Sequence, residues 1–137
     1  MAILRWIEET DKKETPVLFS ALFAVVIGAG MIGQWIMSYI SKQIPELKTE
    51  PIRIWFHIAG EMVTAIILIV SGIGLLLGAP WAPALFFVSI GMLLYTAVVS
   101  PGYFAQQGKW IWVLIFGVIV TLAVISTLIV AANLDRF

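Results

Sequence analysis

The sequence predicts an all-α integral membrane protein, a four-helix bundle whose spans run up-down-up-down. Three observations carry that reading. The 137-residue chain is 61% hydrophobic and only 12% charged, whereas an ordinary soluble domain is about 45–50% apolar and about 25% charged. Its mean hydropathy is +1.05. Apolar runs of bilayer-crossing length, about 20 residues for a helix, recur between three sets of breakers: Pro45 and Pro51, the Pro80–Pro83 turn, and Pro101-Gly102. The whole chain, 1–137, reads as a single membrane domain with spans near 16–41, 52–78, 83–100 and 109–133.

Residues 1–15 hold four acids and three bases, with Ile3, Leu4, Trp6 and Ile7 on an approximate helical face. This segment is either a short interfacial helix or a solvated tail. It lacks the order of basic region, apolar core and small-residue cleavage site that marks a signal peptide. The first span is therefore expected to act as an uncleaved anchor. Thr15-Pro16, a capping residue followed by proline, is expected to open that span. Inside it, Gly28-Ala29-Gly30-Met31-Ile32-Gly33 matches the dinucleotide-binding glycine pattern letter for letter. That motif needs a strand, a turn and an amphipathic helix, and here the glycines lie within one apolar run. They read instead as small residues that let another helix approach closely.

Residues 41–50 form the first polar loop, with Lys42, Glu46, Lys48 and Glu50 around Pro45. Pro51 opens the second span, which ends at the uncharged turn Gly78-Ala79-Pro80-Trp81-Ala82-Pro83, whose tryptophan suits an interface. The third span is expected to stop at Ser100-Pro101-Gly102-Tyr103. The loop Gln106-Gln107-Gly108-Lys109 leads into the fourth, where Gly117 and Thr121 look like a packing seam.

Chemistry concentrates in the second span. Arg53, His57 and Glu61 are spaced four apart, which stacks them on one helical face. Thr64 and Ser71 extend the stripe. At 1.5 Å per residue Glu61 lies roughly 12–15 Å below the 41–51 side, near mid-membrane. An acid at that depth costs a few kcal/mol without a partner or water, so it is a functional-site candidate. Gln34 and Ser38 from the first span reach similar depths, as do Tyr95, Thr96 and Ser100 from the third, with Tyr103 just beyond. The other half of the bilayer holds little beyond a few hydroxyls. Two interpretations follow: a pocket open toward the 41–51 and 100–109 loops, or hydrogen bonds that lock the bundle or an oligomer interface.

The candidate binding residues are thus Glu61, His57, Gln34, Thr96, Arg53, Tyr95, Ser38, Ser100 and Tyr103. No metal or cofactor is expected. The chain has no cysteine and one histidine, which excludes disulfides, thiolate ligands and a multi-histidine site built from a single copy. Net charge is zero and no basic cluster stands out, so nucleic acid is not an expected partner.

The expected partners are the lipid bilayer, a second copy or a membrane complex, and a small solute, proton or cation. The cell membrane is the expected location. Arg5, Lys12, Lys13 and Arg136 on one side balance Lys42, Lys48, Arg53 and Lys109 on the other, so the positive-inside rule gives no orientation. Three functions fit. One is a transporter or channel subunit with a proton- or cation-binding site at Glu61/His57, since desolvation and a neighbouring histidine suit proton exchange. The second is an accessory subunit without chemistry. The third is an enzyme or binding protein for a lipid-like molecule, with Glu61 and His57 as acid and base. Enzymology is the weaker option, because no span contains a cysteine, an aspartate or a second histidine.

Overall fold

The computed structural model describes the backbone of residues 1–137, and the side chains of all but residues 6, 7 and 9–14. It is all-helical, with no strand among the described residues. In chain order the helices are α1 (Ala2–Ile40), α2 (Glu46–Thr49), α3 (Pro51–Leu76), α4 (Ala82–Val99), α5 (Pro101–Gln106) and α6 (Trp110–Ala131), followed by a 3₁₀ turn at Leu134–Arg136. Four stretches are long and apolar enough to cross a membrane: Thr15–Ile40, Pro51–Leu76, Ala82–Gln106 and Trp110–Ala131. These are the marks of an integral membrane protein.

One boundary differs from expectation, and it involves proline. Pro16 does not begin a helix but lies inside α1. A proline in a helix costs one backbone hydrogen bond and some crowding, which a long apolar run accommodates. Of the N-terminal apolar residues, Ile3 and Leu4 are exposed, while Trp6 and Ile7 fall outside the described side chains. At the other proline breaker α4 ends at Val99, as expected, and a separate short helix follows. Ser100 keeps helical dihedrals (φ −62°, ψ −36°), and Pro101 starts α5 immediately after it. Proline suits a first helical position, so the chain is interrupted there and resumes as helix.

The tightest packing is between α1 and α3. A Cβ added at Gly28 would lie 2.6 Å from the Ala65 carbonyl oxygen and 2.7 Å from Ile69 Cγ1. One added at Gly72 would lie 2.7 Å from the Ala21 carbonyl oxygen and 3.2 Å from Ala24 Cβ. Glycine at both positions lets the backbones nearly touch, the close-approach mode expected where lipid removes the usual hydrophobic drive. Gly30 and Gly33 have open space where a Cβ would go. Of the glycine run, only Gly28 serves this packing. A third close contact closes the α3–α4 turn: a Cβ on Gly74 would meet Trp81 at 2.6 Å. Gly78, at φ +65°, makes the reversal in the left-handed region that suits glycine.

Ala21, Ala24, Leu68, Phe86, Ile90, Ala123 and Val130 form the centre of the core. The few hydroxyls expected in this half converge on it. Ser20, Ser71, Ser89 and Ser126, one from each spanning helix, are all fully buried. Ser71 and Ser89 bridge α3 and α4 at 3.2 Å, and Ser20 donates to the Ser126 carbonyl at 3.4 Å. The Ser126 hydroxyl itself has no partner. Gly117 and Thr121 do not form a seam: both are exposed, and Thr121 bonds back to the Gly117 carbonyl. The helix that carries them is the least covered span, 17% buried.

The α1–α3 contact sets an expected outcome. Gly72→Val should destabilise the bundle by about 1–3 kcal/mol, the usual cost of overpacking, whereas Gly30→Ala should not destabilise it. Thermal or detergent unfolding of the two variants makes the comparison, and equal losses would dissociate stability from this contact.

Candidate functional site

Glu61 sits on the inner face of α3 and is 8% exposed. Both its oxygens meet protein groups. Trp35 Nε1–H on α1 donates to Oε2 at 2.6 Å. Ser100 Oγ, at the junction of α4 and α5, donates to Oε1 over a long 3.4 Å. His57 Nε2, one turn back on α3, stands 3.3 Å from the same oxygen. The Trp35 ring also lies edge-on to the His57 ring, centroids 5.8 Å apart. One carboxylate thus gathers groups from three segments that are distant in sequence.

Each position has a local cause. The α1–α3 contacts run in opposite chain order, Ala21 and Ala24 at Gly72 and Gly28 at Ala65. Continued toward the 41–51 end, that register brings Trp35 to Glu61. The i, i+4 spacing of His57 and Glu61 aligns them along α3. Ser100 is placed by the α4–α5 junction, where its backbone N–H still bonds the Thr96 carbonyl at 2.8 Å.

The other residues singled out in the sequence are placed as follows. Arg53 points outward and pairs with Glu50 at 2.7 Å, both largely exposed, so the charged stripe on α3 divides after its first member. Gln34 is exposed and outside the cluster, with its neighbour Trp35 occupying the inward position. Ser38 is partly buried and its carbonyl receives the Gln43 N–H that closes the loop after α1. Tyr103 stacks edge-on against Phe104, away from Glu61. Thr96 bonds the Leu93 carbonyl of its own helix, and Thr64 bonds the Gly60 carbonyl of its own.

Thr96 and Tyr95 instead line a groove of about 600 Å³ between α3 and α4, together with His57, Gly60, Glu61 and Gly91. Its rim is exposed and apolar or aromatic, Phe56, Val88, Tyr95 and Val99 among it. The groove therefore opens sideways on the bundle. A second cavity, about 510 Å³, lies at the opposite end between the start of the first span, the end of α3, Arg136 and Phe137. It contains no acid–histidine pair.

Trp35 is the one residue of the cluster that sequence reasoning missed, because tryptophan in a membrane protein reads first as an interface residue. The signal lay in its chemistry: an indole N–H is a donor only, and when buried it needs an acceptor. Glu61 was the only acid within a spanning run. The donor set also decides what the carboxylate can hold. Trp35 aims a permanent N–H at Oε2, and no group of three or more metal-type ligands exists among the described residues. Trp35 and Ser100 together engage both carboxylate oxygens.

Fold and site together define a small polytopic membrane protein with a buried carboxylate beside a half-exposed imidazole. The chain belongs to the family described as a domain of unknown function, DUF8058, which it matches over residues 17–136. That stretch contains every member of the cluster and all of the spans except the first two residues of the first. No curated protein and no solved structure matches it.

The hydrogen bond from Trp35 is testable by a double-mutant cycle. Trp35→Phe removes the donor and leaves Oε2 unpaired, which should cost about 1–3 kcal/mol of stability. In a Glu61→Leu background the same change should cost measurably less. Strictly additive losses in unfolding experiments would show that the bond contributes nothing.

Proposed function

We propose that the protein is a proton-exchanging membrane subunit in which Glu61 and His57 share one exchangeable proton within the bundle. Its spans cross the cell membrane up-down-up-down, and it acts as a homo-oligomeric transporter of a small solute. The observation that carries this reading is a buried acid with a half-exposed imidazole 3.3 Å from it, on the wall of a groove open to the exterior of the bundle. An acid beside an imidazole forms a pair across which one proton can pass. Trp35 and Ser100 hold the acid in place through the exchange, and His57, 43% exposed, connects it to the outside. The alternation of spans is supported by the opposite chain order of the α1–α3 contacts.

A second reading has its own support. Trp35 and Ser100 each donate to one carboxylate oxygen, which is also what a purely structural tie between α1, α3 and the α4–α5 junction requires. Under that reading the chain is an accessory subunit assembled through its spans.

Glu61→Gln separates the two, since the amide keeps shape and most hydrogen bonding while removing the exchangeable proton. The proton reading expects a folded variant that has lost pH-dependent flux in liposomes. In infrared difference spectra it should also have lost the carboxyl band that titrates in the wild type. The structural reading expects Glu61→Gln to be silent and Glu61→Leu to lower yield and oligomer size, because partner donors are then left unpaired. Unchanged flux and an unchanged pH profile in Glu61→Gln would remove Glu61 from the mechanism.

A further inference from the structure

The groove between α3 and α4 has a composition that selects its occupant. Gly60 and Gly91 form part of its floor, and a Cβ added at either would meet nothing within 4 Å, so the space is open rather than filled by neighbouring atoms. Phe56 and Tyr95 stand on its rim, 78% and 71% exposed. The volume, about 600 Å³, falls within the range of sites that take a drug-sized molecule, roughly 300–1,000 Å³. A body that fills such a space from the lipid side must be apolar.

The polar end of the groove is Glu61 with His57. These and Tyr95 are the ionisable groups that line it. From α1 the facing group is Trp35, which does not ionise, and Arg53, one turn further out, is engaged by Glu50. Glu61 is the one acid lining the groove, and no Lys or Arg among the described residues lines it. Both carboxylate oxygens already accept from protein groups, so an occupant gains little from N–H donors of its own. It gains from a positive charge brought into a poorly screened site and laid against aromatic faces.

We infer that the α3–α4 groove binds a lipophilic monovalent cation of the quaternary ammonium or phosphonium class, taken laterally from the bilayer, in exchange for the proton of the Glu61–His57 pair. The inference rests on the proton reading above and names the solute of that site. The balance is electroneutral: one positive charge arrives as the cation and one leaves as H⁺. Small hydrated ions are excluded because the rim is apolar and nothing there replaces their water. Anions of the same shape are excluded by the charge of Glu61.

The test uses the purified full chain in nanodiscs and radiolabelled tetraphenylphosphonium, with tetraphenylborate as the anion of matching shape. The expected result is saturable binding of the cation, one per chain, with one proton released and no comparable binding of the borate. Glu61→Gln should weaken binding at least tenfold. Gly91→Leu, which fills the groove without meeting another atom at its Cβ, should do the same, and Gly60→Leu serves if the first variant fails to fold. Gly30→Ala, outside the groove, should bind as the wild type does. Equal binding of cation and anion, or undiminished binding in a folded Gly91→Leu, overturns the inference. The two proposals fail separately. A titrating carboxyl band without cation binding keeps the proton site and removes the cation, whereas cation binding without proton release keeps the groove and removes the exchange.

Discussion

The close contact of α1 with α3 is the constraint on which the rest of the structure depends. Gly28 against the Ala65 carbonyl and Gly72 against the Ala21 carbonyl set both the separation and the register of two long helices. Side chains of ordinary size at either position would push the axes apart. The indole N–H of Trp35 meets Glu61 at 2.6 Å only because that separation is so small. Packing at one end of the helix pair thereby fixes chemistry at the other. In a bilayer this division of labour is natural, since lipid competes equally well for apolar side chains and specificity must come from backbone approach and hydrogen bonds.

The two halves of the bundle handle polarity differently. Near the α3–α4 turn, Ser20, Ser71, Ser89 and Ser126 are buried as small neutral groups, and Ser71 and Ser89 also return bonds to carbonyls of their own helices. A serine that bonds its own backbone carries almost no desolvation burden, so such a layer can sit in a dry core. Near the 41–51 loop the polar group is a carboxylate, for which no local backbone acceptor can substitute. An acid needs donors, and each charge-assisted bond contributes about 1.5–3 kcal/mol. That is of the same order as the few kcal/mol charged to an acid at mid-membrane. Glu61 is therefore tolerable only as long as its partners stay in place.

Much of this was legible in the sequence, and the failures have physical reasons. Composition and breakers were sufficient for four long apolar helices, because a bilayer leaves the backbone almost no other option. Glu61 and His57 could be picked out because a helix has a known period. Pro16 was read as a boundary, yet α1 continues through it, since a proline removes one bond and not the helical dihedrals of its neighbours; at Pro101 the reading was right, because α4 ends at Val99. Gln34 was chosen over Trp35 because amide polarity is obvious in an apolar run. Adjacent residues differ by about 100° around a helix, and only the register of α1 on α3 decides which of the two faces inward. That register depends on backbone contacts at Gly28 and Gly72, which no one-dimensional pattern encodes. Arg53 shows the same limit: its i, i+4 spacing to His57 was correct, but Glu50 at i−3 offered a partner in water.

The position of Ser100 connects these threads. Because Pro101 has no N–H, the carbonyl one turn before it loses its usual donor, and the helix is interrupted at the level of the acid. The break falls where the third span supplies its hydroxyl to Glu61 and where the groove between α3 and α4 ends at Val99. A straight, uninterrupted helix would hold Ser100 rigidly, whereas a junction between two helical segments lets its hydroxyl approach or leave Oε1, and the long 3.4 Å contact is the weakest of the three around the carboxylate. Trp35 is anchored by the closely packed α1–α3 pair and His57 by its own helix.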